Sequence, residues 1–147
     1  MARTCTAAWL AGVMVPAAAL AQDVRPPTID CATGFDGLKT TAMALPGAEV
    51  GQADGFDTIV TAHPEKWRVE YFFTTGWHPA HPAVVLRTLR KQVTGVWTAE
   101  SKACGYGNQA QFSTLVDDMK RGDKELTDAS RAEVARKKKE RSPLAPP

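Results

Sequence analysis

Apolar residues change their spacing twice along this chain, and each change marks a different kind of element. Phe35, Leu38, Ala42 and Leu45 recur at intervals of 3, 4 and 3 in "TGFDGLKTTAMALPG". That is one stripe of a short helix, with Thr33 placed to cap it and Pro46-Gly47 to stop it. From Ala48 the period becomes two. "AEVGQ" and "FDTIVTA" flank Ala53-Asp54-Gly55, a hairpin signal. "WRVEYFFTT" sets Trp67, Val69, Tyr71 and Phe73 against Arg68, Glu70, Phe72 and Thr74. "AVVLRTLRKQ" and "VWTAESKAC" then flank a second hairpin turn, Val93-Thr94-Gly95. Val84, Val85, Thr88 and Val93 favour strand over helix for the former. After "GYG" the helical period returns. Asn108 with Gln111 resembles a capping box, and Phe112, Leu115, Val116 and Met119 form a stripe that Gly122 is expected to end.

The fold class is therefore α+β: an antiparallel meander sheet of four or five strands, with an N-terminal and a C-terminal helix packed on it. Trp67, Tyr71, Phe73, Trp97 and Phe112 read as core between sheet and helices. Phe72 and Trp77 fit that stripe less well. Phe72 belongs either to a second cluster on the sheet's other face or to an exposed patch.

The first residues lie outside this pattern. Arg3 is followed by "AAWLAGVMVPAAALA", ending in Ala19-Leu20-Ala21 before Gln22. That order is expected of a cleaved secretory signal over residues 1–21, and the run is too short to favour a permanent membrane span. Residues 22–122 are expected to form one domain, and residues 123–147 a basic, proline-ended tail. The tail, "DKELTDASRAEVARKKKER" and then "SPLAPP", has few apolar residues to pack. It reads as a solvated helix or a disordered end whose removal costs little stability. Exported chains keep their disulfides, and cleavage would leave two cysteines, Cys31 and Cys104. They are expected to pair, with two free thiols as the alternative. A pairing also selects among strand counts. With five strands Cys104 finishes at the end of the sheet where Cys31 lies, and with four it finishes at the wrong end.

Candidate chemistry is concentrated in "GWHPAHPAV", which holds two of the three histidines. His78 and His81 each precede a proline and so take extended geometry. Three residues apart, they can share one face of a polyproline turn, about 9 Å apart along its axis. His63 is the third histidine, at the other end of "WRVEYFFTT", about 30 Å of strand away. A three-histidine metal site is therefore excluded within one chain, and no metal or cofactor is expected. The chain also lacks a nucleophile elbow, a phosphate-binding glycine loop and a Cys-x-x-Cys pair, which points away from an enzyme. Arg121-Gly122-Asp123 spells an adhesion tripeptide, but glycine is ordinary at an expected helix end. "RKKKER" offers no aromatic residue to stack bases, so nucleic acid is not an expected partner.

The run "YFFTTGWHPAHPAVV", followed by "GVW" and "ACGYG", resembles a loose group of small exported bacterial proteins. They share an aromatic strand, a "HPAHP"-like corner and a two-strand return. The resemblance covers roughly residues 45–119. It implies export to the periplasm or beyond and an α+β fold, and it brings no activity. The leading expectation is a non-catalytic binding protein for an unknown protein or small molecule, using Trp77, His78, His81 and Tyr106 at the corner. The alternatives are a metal-binding or hydrolase-like enzyme using His78 and His81, and an envelope component that contacts its partner through the basic tail.

Overall fold

The computed structural model describes residues 25–141. The expected signal segment and the terminal "SPLAPP" lie outside the described residues. A single 3-10 turn, Cys31–Thr33, leads into helix α1, Phe35–Met43. Five strands follow: β1, Glu49–Ala53; β2, Phe56–His63; β3, Trp67–Thr74; β4, Ala83–Lys91; and β5, Trp97–Gly105. Helix α2, Gln109–Glu140, closes the described chain. The strands pair antiparallel in the order β1-β2-β3-β4-β5. This is the expected α+β meander, with the strand count resolved at five.

The two helices lie on opposite faces of the sheet. On one face Leu38 and Ala42 of α1 meet Ile59, Val69, Tyr71, Phe73, Val84 and Leu86. On the other, Leu115 of α2 meets Ala80, Ala83 and Val85, with Phe56, Phe72, Phe112 and Met119 packed around them. The alternation in β3 therefore serves both layers. Phe73 is fully buried under α1, and Phe72 belongs to the second cluster rather than to an exposed patch. Burying one such ring contributes about 1.5–3 kcal/mol.

Cys31 and Cys104 are joined, with their Cα atoms 5.4 Å apart. Val84 is the cross-strand partner of Cys104, so the bridge fastens the N-terminal lead to the last strand, on the α1 face of the sheet. Two helix ends depart from expectation. Thr33 does not cap α1: it ends the 3-10 turn, which Asp30 caps by accepting the Ala32 N–H at 3.0 Å. Gly34 stands at the start of α1 without a side-chain cap. Asn108 does cap α2, accepting the Gln111 N–H at 3.0 Å.

Gly122 does not end α2, and the residues beyond it are not a solvated tail throughout. A Cβ at Gly122 would stand 3.1 Å from the Arg87 guanidinium, so the glycine answers a close approach rather than a stop. The next residue, Asp123, is 7% exposed. Its carboxylate accepts from Arg87 Nε at 2.8 Å and from the Ser101 hydroxyl at 2.9 Å. One and two turns on, the Thr127 and Ser130 hydroxyls accept the backbone N–H groups of Ala99 and Trp97, at 3.0 and 2.8 Å. α2 thus closes the outer edge of β5 with polar side chains as well as an apolar stripe. No helix among the described residues is long and apolar enough to cross a membrane.

Candidate functional site

The corner between β3 and β4 is built from its own hydrogen bonds. Thr75 N–H donates to Gly55 O at 2.9 Å, anchoring the corner to the β1–β2 turn. His78 N–H donates to Thr75 O, and His81 N–H to His78 O, both at 2.9 Å. The Thr74 hydroxyl accepts the Ala83 N–H at 2.8 Å and donates to Ala83 O at 3.0 Å, closing the base of the loop. A Cβ at Gly107 would come within 2.5 Å of His81 O, so only glycine lets the β5–α2 link pass against the corner.

The two imidazoles do not share a face. His78 rests on Phe56, ring centres 4.8 Å apart, on the α2 side. His81 rests edge-on against Phe35, 5.3 Å away, on the α1 side. Consecutive turns at the sheet's end, rather than a continuous polyproline segment, separate them. Their hydrogen bonds also assign opposite tautomers. His81 Nδ1 lies 2.8 Å from Thr74 O, and a carbonyl only accepts, so this nitrogen carries a proton. His78 Nδ1 accepts the Ala80 N–H at 3.1 Å, so in the neutral ring its proton is on Nε2. Burial lowers the His78 pKa below its ordinary value, and the charge on His81 pushes in the same direction.

Tyr106 turns its hydroxyl to Cys31 O at 2.9 Å, while its backbone N–H reaches Pro82 O at 2.9 Å. Burial and nearby Asp30 raise its pKa. Trp77 is 95% exposed. Of the four expected site residues, His81 and Tyr106 lie on the disulfide side of the corner. His78 is folded against the other face, and Trp77 stands in solvent. Among the described residues no group of three or more His, Cys, Asp and Glu side chains is placed to hold a metal.

A cleft of about 610 Å³ lies at the opposite end of the sheet. Pro26, Pro27, Leu45, Pro46, His63 and Trp67 supply much of its wall. The His63 and Trp67 rings stand 6.0 Å apart. Thr61 donates to Pro46 O at 2.8 Å, which holds the α1–β1 link against β2. His63 Nδ1 lies 3.2 Å from Pro64 O and so donates to it. The sequence pattern places Trp67 in the core and gives residues 25–28 no periodic signal. The only available signal was the concentration of prolines on both sides of the first helix.

No family model matches the chain, and neither a curated protein nor a solved structure does.

Proposed function

We propose that the chain is an exported, non-catalytic binding protein that takes a small, largely apolar ligand in the cleft beside Trp67. The cleft itself is the observation that carries this reading. Its volume falls in the range of small-molecule sites, and its wall is largely apolar, from prolines, Leu45, Ala62 and Trp67, with Arg25, His63 and two threonines as the polar groups. Export is supported by the signal-like first segment, by the resemblance to small exported proteins and by the Cys31–Cys104 bridge. Anilinonaphthalene sulfonate, a fluorescent apolar anion, tests the cleft. Saturable binding of one equivalent is expected, weakened at least tenfold by Trp67→Ala and unchanged by Trp77→Ala. Binding that ignores Trp67 removes the proposal. The intact mass of the periplasmic or secreted form is expected to match a chain that begins at Gln22, as glutamine or cyclised to pyroglutamate.

A second reading places a macromolecular partner at the corner, and one observation favours it: a 95% exposed tryptophan on a loop already fixed by hydrogen bonds. Such a side chain makes a low-entropy anchor. A photo-crosslinking amino acid at position 77 is expected to give a discrete adduct in cells. The same residue at position 93, equally exposed at the far end, is the control. Equal adducts from both positions exclude a corner-specific partner. The geometry gives less support to joint chemistry by His78 and His81, which occupy opposite faces.

A further inference from the structure

The two edges of the sheet are treated differently. At β5, the outward N–H groups of Trp97 and Ala99 are taken by Ser130 and Thr127 of α2. At β1, all five residues are exposed, and Val50 is 67% exposed. Of the usual protections of an edge strand, β1 keeps only its short length and one charge, Glu49. Glu49–Ala53 contains no proline and no lysine, and its pairing with β2 runs unbroken from Glu49↔Val60 to Ala53↔Phe56 without a bulge.

Hairpin geometry says which groups are offered. Ala53 and Phe56 flank the two-residue turn and form its first hydrogen-bonded pair. Alternation then directs the backbone groups of Glu49, Gly51 and Ala53 toward β2, and those of Val50 and Gln52 outward. Thr75 N–H bonding to Gly55 O agrees with this phase on the β3 side.

We propose that this edge pairs with the same edge of a second copy, antiparallel about a two-fold axis through Gly51, to form a continuous ten-stranded sheet. The sequence of the edge suits itself in that register. Val50 faces Gln52 of the second copy, and the two such pairs exchange four backbone hydrogen bonds. Glu49 faces Ala53 and Asp54 faces Ala48, so no like charges oppose each other, which a self-paired strand must avoid. The exposed Val50 side chain gains a neighbour across the axis. A five-residue edge covers far less than the roughly 800 Å² per partner of a standard interface, so the dimer is weak and forms at high protein concentration. Nothing in this depends on what the cleft or the corner binds.

Sedimentation velocity over a wide concentration range tests the proposal. The purified protein is expected to pass reversibly from monomer to dimer. Gln52→Pro deletes one outward donor per copy at an edge position that tolerates proline. It is expected to remain monomeric with an unchanged far-ultraviolet circular dichroism spectrum. A second variant, Glu49→Cys with Ala53→Cys, places cysteines opposite each other across the axis. Within one copy they are too far apart along the strand to join. It is expected to give a covalent dimer on oxidation, far faster than a Val93→Cys control. Three results each overturn the proposal: a wild-type protein that stays monomeric at every concentration, a dimer that Gln52→Pro leaves intact, or cross-linking no faster than the control.

Discussion

His78 and His81 differ by one proton position, and for His78 that position matters to the pH dependence of stability. His81 gives its Nδ1–H to Thr74 O. His78 cannot take a proton on Nδ1 without giving up the Ala80 N–H. Its folded pKa is lowered, so below the ordinary value the unfolded chain binds the proton more readily. The His78 contribution is then fully present above about pH 6.5 and lost as the pH falls through the lower folded pKa. His78→Asn, whose Oδ1 can stand where Nδ1 stood, is expected to keep the stability found at pH 7.5 and to flatten this acid dependence. His78→Leu is expected to lose about 1 kcal/mol at pH 7.5, the worth of one hydrogen bond. Urea midpoints at pH 7.5 and 5.5 for the three proteins check both statements. A steeper acid loss in His78→Asn than in wild type would refute the tautomer assignment. The sequence concentrated the candidate chemistry at this corner and let its two imidazoles share one face, because proline holds the residue before it extended. It offered no means of placing the imidazoles on opposite faces, since that depends on Phe35 and Phe56 arriving from distant elements.

Among the elements, α2 was the hardest to read. Its first half declares itself through Phe112, Leu115 and Met119, an ordinary apolar stripe. The second half docks through Asp123, Thr127 and Ser130, and bonds from side-chain oxygens to a sheet leave no hydrophobic period. Gly122 misleads for a related reason. A mid-helix glycine costs about 1 kcal/mol relative to alanine and usually marks an end, but here an added Cβ would stand 3.1 Å from the Arg87 guanidinium, which Asp123 holds. Asp123→Asn is therefore expected to cost about 2 kcal/mol. Arg87 is 13% exposed in its side chain, and its other carboxylate, Glu70, is 3.9 Å away. Ending the chain after Gly122 is expected to lower the melting temperature by roughly 5–10 °C, instead of leaving it nearly unchanged. Circular dichroism melts of both variants measure this. A truncated protein that melts with wild type would return the second half of α2 to the status of a tail.

Over the whole molecule, the cysteines were the most informative residues in the sequence. The expectation that they pair selected five strands over four, because only an odd count returns Cys104 to the end where Cys31 begins. The structure has both the bridge and the fifth strand. The cleft was invisible because its walls come from residues 25–28, the α1–β1 link and the start of β3, which no local pattern connects. The bridge spans 73 residues, and in the chain-entropy model such a loop contributes about 4 kcal/mol. Reduction is expected to remove roughly 3–4 kcal/mol, read from urea unfolding with and without dithiothreitol. A loss under about 1 kcal/mol would mean that the unfolded chain is already compact around these residues. The hydroxyls of Thr127 and Ser130 have one more consequence, in the exchange of backbone amides with deuterated solvent. Edge-strand amides ordinarily exchange fast, yet those of Trp97 and Ala99 can exchange only when the second half of α2 lifts away. Their rates, set against those of Val50 and Gln52 in dilute, monomeric protein, make the sheet a clock for helix undocking that needs no ligand and no mutation.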